Sequence, residues 1–174
     1  MAETEEHSAV LACKEGDLRL LEVCVERGRT PVDFTDVNGK SLLEHACTFL
    51  HEQCVQYLLE KGADPASIIG RNGKTLLHYI CGRHYVPIAR LLLDYGVNVN
   101  ARDGLGRTPL HYACGVEADE CAKLLLQRGA VLYPEDKEGM TPFDVAMNHE
   151  NYECVEVIES FEKALKDEVV DDDK

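Results

Sequence analysis

Apolar residues recur along the chain in two kinds of cluster. The longer kind holds Leu20, Leu21, Val23, Cys24 and Val25, then Cys54, Val55, Tyr57, Leu58 and Leu59. It returns as Ile88, Ala89, Leu91, Leu92 and Leu93, as Cys121, Ala122, Leu124, Leu125 and Leu126, and last as Cys154, Val155, Val157 and Ile158. The i, i+1, i+3, i+4 spacing predicts a helix with one broad apolar face each time. The shorter kind reads Ser-Leu-Leu-Glu-His-Ala-Cys at 41–47, Thr-Leu-Leu-His-Tyr-Ile-Cys at 75–81, Thr-Pro-Leu-His-Tyr-Ala-Cys at 108–114 and Thr-Pro-Phe-Asp-Val-Ala-Met at 141–147. Its leading Ser or Thr suits a helix N-cap. Pro109 and Pro142 then stand at the first helical position, where a missing N–H costs nothing. A short helix of about two turns follows.

The two clusters keep a common step. Ser41, Thr75, Thr108 and Thr141 are 34, 33 and 33 residues apart, and Gly28, Gly62, Gly96 and Gly129 are 34, 34 and 33 apart. Each glycine closes a longer helix, where a left-handed cap suits a residue without Cβ. Asn38-Gly39, Asn72-Gly73, Gly104-Leu105-Gly106 and Glu138-Gly139 mark turns between units. The unit is turn, helix, loop, helix. A period near 33 means stacked repeats, in which each unit buries its apolar face against the next.

Thr108-Pro109-Leu110-His111 and Leu124-Leu125-Leu126-Gln127-Arg128-Gly129-Ala130, with Gly96-Val97-Asn98-Val99-Asn100-Ala101 ahead of them, resemble the ankyrin repeat. The resemblance covers roughly residues 7–160 and implies an all-α solenoid of helix-turn-helix units with short turn or hairpin fingers. Five repeats are expected, at about 7–34, 35–68, 69–101, 102–134 and 135–160. The first is a helix pair, Ser8 to Cys13 and Asp17 to Arg27, with no turn ahead of it. The last places Glu159 where Val25, Leu59, Leu93 and Leu126 end the other second helices. A polar outer face suits a terminal repeat. Leu42 and Leu76 replace the usual Pro, and Glu44 the usual His. Residues 1–6 are expected to be a disordered acidic segment, and 161–174 an acidic extension, part helical and part disordered.

Charge narrows the partners. Asp and Glu outnumber Lys and Arg 32 to 18, for a net charge of −14. A field of that sign repels phosphate backbones and anionic headgroups, so neither nucleic acid nor a membrane surface is expected as a partner. No apolar run is long enough to cross a bilayer. The acidic start, Met1 to Glu6, lacks the apolar core of a signal peptide. Cytoplasm or nucleus is the expected location, where eight cysteines need an explanation other than a disulfide framework.

Cys13, Cys47, Cys81 and Cys114 share one column of the aligned units; Cys54, Cys121 and Cys154 share another with Ile88. Sharing positions with Ala and Ile marks small buried side chains, and no Cys-x-x-Cys pair offers zinc-ligand spacing. A thiol-based metal or redox protein remains the less favoured alternative. His78 and His111 occupy the signature position. The resemblance implies that their rings bond backbone near the turns and tie adjacent repeats. No nucleophile and base with an orienting third group are evident, so no catalysis, cofactor or metal is expected. Asp103-Gly104-Leu105-Gly106 follows no strand and reads as a turn rather than a phosphate loop.

The resemblance implies a protein-binding surface on the turn tips and the exposed side of the first helices. One turn column reads Lys40, Lys74, Arg107, and the next helix column reads His45, Tyr79, Tyr112. Phe49, Arg83, Val116 and His149 lie further along the same helices. Tyr and Arg concentrate binding energy, and cations in an acidic protein suggest an acidic or phosphorylated partner segment. The function expected is an adaptor or inhibitor, monomeric when free. The alternative within protein binding is a regulatory subunit whose acidic tail contacts a basic protein. Asn100 sits in a segment similar to ankyrin sequences modified by asparaginyl hydroxylation; a turn-stabilising role is the simpler expectation.

Overall fold

The computed structural model describes residues 2–27, 30–69 and 72–171, the side chains of 2–5 and 168–171 excepted. Gly28, the first member of the glycine series, lies outside them. The helices come in pairs: α1 (Ala2–Glu15) with α2 (Leu18–Glu26), α3 (Leu42–Thr48) with α4 (Glu52–Glu60), α5 (Leu76–Cys81) with α6 (Val86–Asp94), α7 (Pro109–Cys114) with α8 (Asp119–Gln127), and α9 (Pro142–Asn148) with α10 (Tyr152–Asp171). First helices pack on first helices and second on second, giving two layers. One apolar cluster runs through both, from Ala9 to Ile158. Between the second and third units β1 (Ile68–Ile69) pairs antiparallel with β2 (Lys74–Thr75), a short hairpin finger as expected.

The caps follow from the Ser/Thr series. Ser41 Oγ accepts the Glu44 N–H at 3.0 Å. Thr75, Thr108 and Thr141 form full capping boxes, their own N–H groups donating to His78 Nδ1 at 3.1 Å, His111 Nδ1 at 3.0 Å and Asp144 Oδ2 at 2.9 Å. Gly62, Gly96 and Gly129 close the second helices at φ of +93°, +80° and +86°, where residues with Cβ are strained. Leu50, His84 and Glu150 adopt the same left-handed region between the two helices of a unit, at φ of +61°, +58° and +57°.

Both flanks carry more helix than composition suggests. Helix α1 starts at Ala2, so residues 2–6, expected to be disordered, lie within it. Helix α10 continues without a break to Asp171; the remainder of the expected disordered end, 172–174, lies outside the described residues.

The seams between units are unequal. Between units three and four, His78 Nε2 meets the Arg107 carbonyl at 2.9 Å, Asn100 Nδ2 donates to Gly129 O at 3.0 Å and Arg128 pairs with Asp94 at 2.8 Å. Gly104 N also donates to Asn72 O at 2.6 Å, an approach that a Cβ would obstruct at 2.9 Å. Between units four and five, His111 Nε2 meets the Met140 carbonyl at 3.0 Å, and Asn151 Nδ2 donates to Val116 O at 2.6 Å. Between units two and three the hairpin and the bond from Leu76 N to Ser67 O, at 3.3 Å, cross the seam, but among the described residues its first-helix layer is sparse. Glu44 stands where a histidine would cross it, and α3 packs less extensively on α5 than α5 does on α7. Among the described residues its bond from the first-helix layer is Tyr79 Oη to Thr48 O, at 3.4 Å.

Candidate protein-binding face

The fingers are organised by aspartates that the sequence reading passed over. Asp36, Asp103 and Asp136 each stand five residues before the capping Ser or Thr. In each, Oδ1 accepts the backbone N–H groups two and four residues on, at 2.8–3.0 Å. That bends the chain into its turn and leaves Oδ2 for a neighbour. The neighbour differs each time. Asp36 takes His45 Nε2 at 3.0 Å, Asp103 takes Tyr112 Oη at 2.6 Å, and Asp136 takes Arg107 Nε at 2.9 Å. The spacing Asp-x-x-Gly-x-Ser/Thr was the available signal.

These bonds correct part of the expected surface. His45 is not on the open face; it is buried and bonded to Asp36. Burial pushes its imidazole down, and Asp36 offsets that only in part. Desolvation pushes the Asp36 carboxyl up, but the N–H groups of Lys40 and Asn38, with His45, hold it down at about 2. The cation column is not a row of unpaired charges. Lys40 lies 3.6 Å from Glu44, and Arg107 adds Glu138 at 3.6 Å to its bond with Asp136. The hydrogen bond to Asp136 pushes the Arg107 guanidinium further up. Lys74 is the member with no carboxylate among the described residues; its ammonium sits over the Tyr112 ring at 4.3 Å. Burial and the bond to Asp103 push the Tyr112 phenol up, so it is a fixed neutral donor.

Four of the expected residues do converge. Arg107, Tyr112, Val116 and His149 line one hollow of about 220 Å³ with Gly82, His111, Gly115 and Val145. Helices α5, α7 and α9 bring them together, since Gly82, Gly115 and His149 are their C-caps. The glycines keep the hollow open; a Cβ at Gly82 would touch the Tyr112 ring at 3.5 Å, and one at Gly115 would touch Val145 at 3.5 Å. Val116 and His149 are exposed, while the Tyr112 and Arg107 side chains are half-buried. Phe49 and Arg83 are exposed on the same row of helix ends, and Tyr79 is half-buried; none of the three lines the hollow. A second hollow of about 530 Å³ lies at the other end, between α1 and the first finger, with Val10, Phe34 and Val37 in its lining. The sequence reading did not anticipate it.

Asn100 lies off this face. It bridges units three and four, with Nδ2 on Gly129 O at 3.0 Å and Oδ1 accepting the Val131 N–H at 2.9 Å. All eight cysteines are buried, and none is in a disulfide. Burial pushes the Cys13 thiol up to about 12. Among the described residues no three His, Cys, Asp or Glu side chains gather as metal ligands, and no helix is long and apolar enough to cross a membrane.

Family models for ankyrin repeats match residues 9–59 (ankyrin repeats, many copies) and residues 66–136 and 103–167 (ankyrin repeats, three copies). The matches take in most of the chain, and the chain belongs to the ankyrin repeat family. Such repeats are generally protein–protein interaction modules and typically non-enzymatic. No curated protein matches the chain.

Proposed function

We propose that this protein binds a segment of a partner protein across the hollow between α7 and α9, with an apolar side chain seated against Val116, Val145 and Tyr112. The observation that carries the reading is the lining itself. In a chain of net charge −14, no acidic side chain among the described residues lines that hollow, whereas Arg107, Tyr112 and His149 do. The segment carries an acidic or phosphorylated residue beside its apolar one. The Arg107 side chain is a third exposed beyond its bond to Asp136, and Lys74 nearby has no carboxylate of its own among the described residues. A few anchors of this kind dominate affinity, and the rest of the contact excludes water. The encounter takes place in a reducing compartment, cytoplasm or nucleus, which suits a chain whose eight cysteines are buried packing residues rather than a disulfide framework.

Panning immobilised protein against a displayed random peptide library tests this. Peptides pairing an acidic with a large apolar residue should be enriched. Their affinity should fall at least about tenfold, 1.4 kcal/mol, on Val116→Glu. Glu153→Lys on α10 should leave it unchanged. Reversing Arg107 is a poorer test, because it also breaks the bond to Asp136. Enriched peptides that lack acids, or that bind Val116→Glu as well as wild type, refute the proposal.

A further inference from the structure

The hollow of about 530 Å³ beside α1 repeats, in the first unit, the position that the hollow beside α7 holds in the fourth. Cys13 and Cys114 share one column of the aligned units, so Glu6, Val10 and Lys14 stand where Arg107, His111 and Gly115 stand. Each trio lines its own hollow. Both hollows therefore open on the same flank of the first helices, and that flank is continuous, since α1 packs on α3, α3 on α5 and α5 on α7. The opposite wall differs. Beside α7 it comes from α9, whereas beside α1 it comes from the first finger, through Phe34, Asp36, Val37 and Asn38. His111 reaches across its seam to the Met140 carbonyl at 3.0 Å. Val10 in the same column is shorter and has no donor to reach the Lys40 carbonyl, which leaves room between α1 and the finger.

The room is apolar at its floor and at its rim. Val10 is buried, Phe34 is half-buried, and Val37 is wholly exposed at the tip of an otherwise polar finger. Charge does not select the occupant. Asp36 is taken up by the N–H groups of its own finger and by His45, while Glu6 and Lys14 contribute one charge of each sign. On the reading that a partner segment occupies the hollow beside α7, we infer that the same segment carries a second anchor, an aromatic side chain, seated between α1 and the first finger against Val10, Phe34 and Val37. This hollow is the larger of the two, and an aromatic ring brings the most apolar area for the fewest torsions to be fixed. Neighbouring helices pack about 8–10 Å apart, so positions three units apart are separated by roughly 24–30 Å. An extended chain covers about 3.3 Å per residue, which puts the aromatic residue about seven to nine residues from the acidic and apolar pair.

The probe is a tryptophan-free peptide enriched in the panning, extended by a Gly/Ser spacer of about two, eight or sixteen residues that ends in one tryptophan. One series carries the extension at the N-terminus of the peptide and another at the C-terminus. The protein has no tryptophan of its own, so the emission reports where the added ring goes. In one of the two series the spacer of about eight residues should raise affinity at least about tenfold over the unextended peptide and shift the emission to the blue. The shortest spacer should do neither, and the longest should gain less. Val37→Glu, at an exposed site, should cancel both the gain and the blue shift and leave the affinity of the unextended peptide unchanged. No gain in either series, a gain independent of spacer length, or a gain that survives Val37→Glu overturns the inference and leaves the reading of the hollow beside α7 standing. An unextended peptide whose affinity Val116→Glu does not lower overturns that reading, and this one with it. A dimer of the free protein that Val37→Glu converts to monomer places a second copy in the hollow and overturns the inference as well.

Discussion

Lowering pH from 7.5 to 5.5 should destabilise the fold, and the histidines of the capping boxes set the size of the effect. His78 and His111 are almost wholly buried. Each ring accepts a backbone N–H at Nδ1, from Thr75 or Thr108, which leaves the proton on Nε2 to donate to a carbonyl of the next unit. A second proton at Nδ1 would face that N–H. Burial pushes both imidazoles down, and the Arg107 and Met140 carbonyls recover only part of the loss. In the unfolded chain the ordinary value is about 6.5. Below that value the unfolded state binds more protons, so stability falls with pH until the folded rings also titrate. A ring that stays neutral in the fold loses about 1.4 kcal/mol at pH 5.5 and under about 0.1 kcal/mol at pH 7.5. The two together set a ceiling of roughly 2.7 kcal/mol, a large share of the few kcal/mol that hold a domain folded. His45, also pushed down by burial, adds to the same trend. The lowered carboxyls of Asp36, Asp103, Asp136 and Asp144 do not enter this window. Their stabilisation is complete above the unfolded carboxyl value near 4 and is lost only below it. Urea titrations followed by far-UV circular dichroism at pH 7.5, 6.5 and 5.5 measure the slope. His111→Gln should reduce it by about half of the paired contribution. A free energy that is flat or rises toward pH 5.5 would refute the neutral, doubly bonded histidine.

Three further outcomes follow from the packing. Leu110→Ala, at a fully buried site on α7, should cost about 2–5 kcal/mol by leaving a cavity, read as a lower urea midpoint with an unchanged slope. His84→Gly should raise the midpoint slightly, because His84 is exposed at φ +58°; relief of about 1–2 kcal/mol of backbone strain exceeds the entropy cost of glycine, and a lower midpoint would argue against the left-handed conformation. Light scattering after size exclusion should give a mass near 19.4 kDa, and a dimer mass would show that an exposed face is covered by a second copy.

Much of this architecture is legible in the residues because repeat period, cap chemistry and glycine positions all agree. The Thr-Pro-Leu-His unit predicts its own helix, cap and crossing bond, and Leu124 to Ala130 predicts a helix and its end. What column alignment misreads is the partner of each side chain. His45, Tyr79, Tyr112 and Val145 share one column, yet the first is buried on Asp36, the second reaches Thr48 O, the third bonds Asp103 and the last lines the hollow. Those differences depend on which atom the neighbouring finger presents, and that is set by a different unit. The hollow itself arises from three helix ends meeting, with Gly82 and Gly115 acting through the absence of a side chain. At the N-terminus an acidic composition suggests disorder, but acidic residues also suit the positive end of a helix dipole, and α1 begins at Ala2.

The seam between the second and third units, sparse in its first-helix layer among the described residues, has a mechanical consequence. A solenoid held by nearest-neighbour contacts parts where coupling is smallest, and here that place is interior rather than terminal. Under tension or mild denaturant the rod should yield as two blocks, helices α1 to α4 releasing while α5 to α10 persist. Amide exchange would record this as a step in protection after Glu60, well away from either tip of the rod.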